Sequence, residues 1–215
     1  MASTRVRTGT RGGAAALVGY VLGSVPSADI VSKLATRGEV DLRTVGSGNP
    51  GAVNAAVQLG GAWGLVVLVA DLAKGAAAGV AGRAVGGDSG GYIAGTAAIA
   101  GHVAPVWSDF KGGKGVATSA GACLAVFPAY FPMNAAVTAL GAGRARNAER
   151  AVRVAAVAWV GAGFIWWRFQ LPNGWGPPPT RALPVFSAAS CALILGAFAR
   201  ARHRDFDDGH ANEGS

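Results

Sequence analysis

Apolar residues run along this chain in long blocks, and the polar ones gather in a few short stretches between them. The first block, about Gly13 to Ala35, is long enough to cross a hydrocarbon core of ~30 Å at ~1.5 Å per residue. Its second half carries Ser24, Pro26, Ser27, Asp29 and Lys33. A polar half-helix is tolerated in a membrane only where it faces protein or water, so this end is expected to line a cavity. Taken alone, Pro26 as a kink and Lys33 as a snorkelling side chain would be the simpler reading. After a polar connection from Thr36 to Pro50, a helical pattern runs from about Gly51 to Val80, interrupted by Asp71 and Lys74. Three positions apart, these charges can pair across one helical turn, and a self-neutralised pair pinning helix packing is preferred to direct catalysis by Asp71. A glycine-rich turn, Gly86 to Gly91, leads to a third span near Tyr92 to Val106. From Val116 to about Gly143 the chain is broken by Pro128 and Pro132, and two thin or kinked spans are expected to meet near Pro132. A span ending near Trp167 and a last one, about Ala182 to Ala199, complete the pattern.

Composition supports a membrane class: 51% of the residues are hydrophobic and 14% charged, too apolar for a soluble domain of 215 residues. The expected fold is an all-α polytopic membrane protein with about seven transmembrane helices. Residues 1–12 form a basic N-terminal segment, 13–204 a single transmembrane domain and 205–215 a polar tail. Arg5, Arg7 and Arg11 before the first apolar run imitate a signal peptide, but the apolar segments that follow make it the first span. A formal charge of +8 could suggest nucleic acid, yet basic and aromatic residues do not interleave on any polar stretch. Anionic headgroups and phosphorylated substrates are the expected partners. Cys123 and Cys191 lie in apolar runs without metal-ligand spacing and read as packing residues. Trp159, Trp166 and Trp167 read as interfacial or lipid-facing aromatics. Seven crossings put most basic residues, from Lys33 and Arg37 to Arg202 and Arg204, on one side, which the positive-inside rule makes cytoplasmic.

Two polar stretches on that side carry chemistry. In Gly112, Gly113, Lys114, Gly115, Val116, Ala117 and Thr118, three glycines surround one lysine, so backbone amides and an ammonium could converge on an anion. The spacing is not that of a Walker A loop, and alone the stretch could equally be a solvated turn. The second stretch, Arg43, Gly46, Ser47, Gly48, Asn49, Pro50 and Gly51, offers another anion cradle. Lys74 could reach either a partner helix or a ligand phosphate, and His102 reads as an interface residue or, from its place beside the first cradle, a ligand contact.

Four segments then carry a resemblance: Gly23 to Lys33, Asp41 to Asn54, Asp71 to Gly75, and Gly101 to Thr118. In order, and over about half the chain, they resemble the bacterial acyl-phosphate:glycerol-3-phosphate acyltransferases of the PlsY type. The resemblance implies a seven-helix inner-membrane enzyme moving an acyl chain from acyl phosphate to the 1-hydroxyl of glycerol 3-phosphate. Lysophosphatidic acid and inorganic phosphate would be the products, with no acyl-CoA or acyl carrier protein as direct donor and with no cofactor or metal. By resemblance, Ser24, Arg43 and Lys114 hold glycerol 3-phosphate; Gly46, Ser47, Gly48, Asn49 and Gly51 seat the acyl phosphate; and His203 stands near the reacting centre. Asn54, Lys74, His102, Gly112, Gly113, Gly115 and Thr118 complete the expected substrate-binding set, and Lys114, His203 and Arg43 are the catalytic candidates. No nucleophile has an evident base partner, so a covalent acyl-enzyme is not expected; a substrate phosphate could itself accept the hydroxyl proton. Three features depart from the family pattern: Phe206 stands where asparagine follows the histidine by three, Val53 replaces threonine, and an arginine-rich loop spans Arg144 to Arg153. The alternative is a non-enzymatic or transport protein binding an organic phosphate, against which the lack of an inverted repeat counts.

Overall fold

The computed structural model describes residues 2–136 and 145–213, with side chains over 10–136 and 152–202. Every regular element among them is helical: α1 (Ala2–Ser24), α2 (Ser27–Thr36), α3 (Ala52–Leu59), α4 (Gly61–Val103), α5 (Val116–Val126), α6 (Ala145–Phe169) and α7 (Ala182–Glu213), with a further helical segment at 131–136. Among the described residues, four stretches are long and apolar enough to cross a membrane: Thr10–Thr36, Gly61–Ser108, Val152–Phe169 and Ala182–Arg202. Exposed Leu17, Val80, Val157 and Val185 lie on their outer faces. In water such surfaces would be costly; in lipid they are solvated.

Several boundaries differ from the hydropathy pattern, each for a local reason. The first span is broken, because Pro26 lacks an N–H and crowds the preceding turn, so α1 stops at Ser24 and α2 starts at Ser27. The expected Gly51–Val80 segment divides at Gly60, where φ is +102°, into the short α3 and the start of α4. α4 has 43 residues, about 65 Å at 1.5 Å per residue, twice what a single crossing needs. It doubles back at Gly87 (φ +67°, ψ −161°), leaving two limbs packed against each other. Between Val116 and residue 136 the break falls at Phe127 and the turn Pro128–Tyr130, not at Pro132, which lies inside the helical segment at 131–136. α7 passes position 205 unbroken.

Glycines let the limbs of α4 meet their neighbours at backbone distance. A Cβ at Gly19 or Gly23 of α1 would collide with the carbonyls of Ala94 or Ala98, and one at Gly75 with that of Thr118. Helix association in lipid depends on such close van der Waals approach. The main apolar core lies farther along the bundle, where Tyr92, Phe127, Tyr130, Trp159, Leu183 and Phe186 interlock. Trp159 corrects the interfacial expectation: it is 4% exposed, stacked on Tyr130 at 6.2 Å and edge-on to Phe186 at 5.5 Å. Its side of α6 faces α7, so its ring packs against protein rather than lipid. A smaller cluster of Ala28, Val31, Leu42, Ala55 and Val67 anchors the polar connection after α2 onto α3 and α4.

Candidate active site

The break between α1 and α2 opens a narrow cleft of about 20 Å³, lined by Val25, Pro26, Ser27, Asp29, Arg43, Pro50, Asp71, Lys74, His102, Pro105, Gly112 and Gly113. All four polar segments singled out in the sequence contribute to it. Asp29, on the first turn of α2, accepts a hydrogen bond from Nη1 of Arg43 and another, at 3.2 Å, from the Ser108 hydroxyl. Arg43 also donates from Nε to the Lys111 carbonyl at 3.0 Å. A guanidinium has five N–H donors, so these contacts leave Arg43 with capacity for an anion.

Deeper in, Lys74 lies 2.9 Å from Asp71, across one turn of α4 as the spacing predicted, and His102 Nδ1 lies 3.5 Å from the same carboxylate oxygen. All three side chains are buried. Of the two partners open to Lys74, the structure supplies the helix: its ammonium donates to the Val25 carbonyl at 2.9 Å and to the Ser27 hydroxyl at 3.4 Å.

The loop from Arg43 to Gly51 is braced from within. Asn54 donates to the Leu42 and Val45 carbonyls at 2.9 and 3.0 Å and accepts from the Ser47 N–H at 3.1 Å, so its amide is occupied by the loop itself. Gly46 and Gly48 turn the chain at φ +60° and +62°, where a side chain would be strained by roughly 1–2 kcal/mol. Gly46 and Ser47 face solvent, Gly48 and Asn49 are half-buried, and of this loop Arg43 and Pro50 reach the cleft wall. Gly51 begins α3 as its N-cap.

The second loop is arranged differently. Gly112 N–H donates to the Val103 carbonyl and Gly113 N–H to the His102 carbonyl, both at 3.2 Å, so these two amides face α4 rather than a ligand. Gly115, at φ +81°, is the N-cap of α5. Lys114 departs from the expected grouping: it is absent from the cleft wall, and its ammonium rests 4.6 Å from the centre of the Phe198 ring on α7. Ser24 and Thr118 are fully buried, and neither hydroxyl has a hydrogen-bond partner among the described residues. His203 and Phe206 fall on α7 beyond the described side chains; the arginine-rich stretch expected as a loop is instead helical from Ala145, as the start of α6, with side chains described from residue 152.

The polar end of the first span, with Ser27 and Asp29, lines a cavity as expected from the sequence, but Ser27, Asp29 and Asp71 were not among the expected substrate contacts. The available signal was the run of polar residues inside apolar spans, since a buried ionisable group in a membrane is expensive unless it has a partner or a role. Beyond the cleft, a narrow apolar groove of about 30 Å³ runs between α5, α6 and α7, lined by Val116, Tyr130, Val152, Trp159, Cys191 and Ile194. Gly112 and Gly113 line the cleft and Val116, three positions beyond Gly113, lines the groove.

The family model for glycerol-3-phosphate acyltransferase matches residues 13–206. A glycerol-3-phosphate acyltransferase of Bacillus velezensis is 46% identical over 121 residues, covering 56% of this chain and 62% of that protein. Glycerol-3-phosphate acyltransferase 1 of Moorella thermoacetica is 38% identical over 149 residues, 69% of this chain and 74% of that one. The one from Exiguobacterium sibiricum is 43% identical over 115 residues, and the match spans 55% of its length. The aligned stretch thus covers somewhat more than half of several curated relatives. A crystal structure of PlsY (YgiH), an integral membrane glycerol 3-phosphate acyltransferase in its glycerol 3-phosphate form, superposes with a TM-score of 0.68 at 28% identity, covering 92% of both chains. Its lysophosphatidic acid form matches with the same TM-score at 27% identity.

Proposed function

The chain belongs to the glycerol-3-phosphate acyltransferase family, and we propose that it transfers an acyl group from acyl phosphate to the 1-hydroxyl of glycerol 3-phosphate. The observation that carries this reading is a polar cleft holding Arg43 and an apolar groove that flank one short segment, Gly113 on the cleft and Val116 on the groove. Such a pairing suits a reaction whose two substrates both carry phosphate while one also carries a long chain. The solved neighbour crystallised in glycerol 3-phosphate and lysophosphatidic acid forms adds support.

In this mechanism the spare N–H groups of Arg43 take the phosphate of glycerol 3-phosphate. Ser24 supplies a hydroxyl, and Lys114 leaves Phe198 to add its charge. The loop from Gly46 to Gly51 seats the acyl phosphate, and the apolar groove takes the chain. The glycerol oxygen attacks the acyl carbonyl carbon, and the bond from that carbon to the phosphate oxygen breaks. The hydroxyl proton passes to a phosphate oxygen, giving lysophosphatidic acid and inorganic phosphate. Orientation of the two substrates and neutralisation of the departing phosphate supply the rate. The distribution of basic residues puts this face in the cytoplasm of a bacterial cell membrane.

Phosphate release by the lipid-reconstituted protein tests the proposal. Given palmitoyl phosphate, release should require glycerol 3-phosphate and should be lost in Arg43→Ala and Lys114→Ala. A wild-type protein that binds glycerol 3-phosphate and releases no phosphate would instead be a binding or transport protein.

A further inference from the structure

We propose that Lys74, Asp71 and His102 form a buried strut that sets the spacing between the α1–α2 break and the Gly112–Gly113 loop, acting as positioning residues and not as phosphate ligands. Its catalytic consequence rests on the acyl-transfer reading above. Its geometry does not.

The chemistry of Lys74 decides the point. An ammonium has three N–H donors and no acceptor. Lys74 donates to the Val25 carbonyl at 2.9 Å and the Ser27 hydroxyl at 3.4 Å and lies in an ion pair with Asp71 at 2.9 Å. Its ammonium is thus turned toward these three protein groups. The Val25 carbonyl lies between two helices and accepts from the Ser27 N–H at 2.9 Å; Lys74 adds a second donor to it from α4 and so ties the break to that helix. The charge this brings into the bundle is balanced by Asp71, whose carboxylate also lies 3.5 Å from Nδ1 of His102.

His102 carries the contact onward. The other edge of its ring faces the second loop so closely that a Cβ at Gly113 would lie 2.5 Å from Nε2. Gly113 must therefore lack a side chain for the loop to rest on the imidazole, and its N–H returns to the His102 carbonyl. The path thus runs from Val25 through the first limb of α4, across to the second limb at His102, and out to Gly113. One end touches the break that carries Ser24 and, through Asp29, the Arg43 loop; the other touches the loop that carries Lys114. Moving either end changes how the two substrate seats face each other.

Lys74→Met in the lipid-reconstituted protein tests the strut by three readings. With palmitoyl phosphate and glycerol 3-phosphate, kcat should fall about 100-fold, the cost of a misplacement of about 1 Å. The Kd for glycerol 3-phosphate, measured by calorimetry, should stay within about threefold, well short of the tenfold that corresponds to 1.4 kcal/mol. Spin labels placed at exposed Leu34 on α2 and Phe110 on the second loop should give a broadened distance distribution. A ligand role for Lys74 predicts the reverse, with affinity down tenfold or more and an unaltered distribution, and would overturn the proposal; so would no change in any reading. Should Lys74→Met fail to fold because Asp71 is left without its counter-charge, Asp71→Asn/Lys74→Met removes both charges and should show the same three results. An inactive wild type would overturn acyl transfer alone, since the spin-label distances judge the strut without turnover.

Discussion

In the loop from Arg43 to Gly51 the glycines turn the chain; in the loop from Gly112 to Gly115 they chiefly let it lie against a helix. The first is held by its own neighbour in sequence, Asn54, which gathers the Leu42 and Val45 carbonyls and the Ser47 N–H. The second is held from outside, by carbonyls at the end of α4 and by the His102 ring. As sequences the two loops are alike, each a glycine cluster beside a cation. The difference teaches that glycine enrichment marks a place where backbone conformation or approach is unusual, and that its neighbours decide which. A self-braced loop should tolerate change in the rest of the bundle, whereas a propped loop should follow whatever moves its prop.

The sharpest way to break this comparison is Gly112→Ala. A Cβ there would run into the His102 carbonyl and lie 2.5 Å from Cδ of Pro105, with backbone on one side and a rigid ring on the other. The loop must lift off α4, and acyl transfer should fall by at least about 100-fold, measured as phosphate release at saturating substrates. Near-normal turnover would mean that the loop is not held by this contact. Next in size is Asn54→Ala, which strips the first loop of its brace and leaves the buried Leu42 carbonyl without that partner. Such a group costs about 1–3 kcal/mol, so thermal unfolding in detergent should show a clear loss of stability. Lys74→Met should leave the first loop's internal brace intact, which separates the two loops experimentally.

Gly46 and Gly48 refine the contrast within one loop. Both have positive φ, but a side chain at Gly46 would lie 2.5 Å from Nε2 of Gln58 and would also strike Oδ1 of Asn54, whereas at Gly48 the nearest atom is the Arg43 carbonyl at 3.3 Å. Gly48→Ala should therefore cost about 1–2 kcal/mol, the penalty of the backbone conformation. Gly46→Ala should cost more and should mimic loss of Asn54. Equal melting temperatures for the two variants would contradict the assigned role of Asn54.

The places of these loops were legible in the sequence, because glycines beside Arg43 and Lys114 mark unusual backbone whatever the fold; the partners of their amides were not, and those of Gly112 and Gly113 are taken by α4. The i, i+3 spacing of Asp71 and Lys74 likewise foretold their ion pair. What lay out of reach was set by tertiary packing. Val25, the third partner of that pair, is 49 positions from Lys74, and no local pattern connects them. The break at Gly60 sits within an apolar run, where hydropathy does not register a turn; the Gly60–Gly61 pair was its only mark. Trp159 was placed at an interface by its residue type, although the face of α6 it occupies packs against α7.

Lys114 sharpens the comparison at its smallest scale. As the cation of the propped loop it rests 4.6 Å from the centre of the Phe198 ring, so α7 holds the charge that the proposed mechanism sends to a phosphate. A cation–π contact of this kind is worth about 0.5–1 kcal/mol at an accessible site, and that energy must be given up whenever the ammonium moves to a substrate. Phe198→Leu keeps an apolar side chain against α7 while removing the ring, so affinity for glycerol 3-phosphate should rise by about two- to fivefold, the same energy expressed as a binding ratio. Calorimetric titration of the variant against wild type reads this directly. Weaker binding would instead mean that the ring holds Lys114 in its working position, and the propped loop would then depend on α7 as well as on α4.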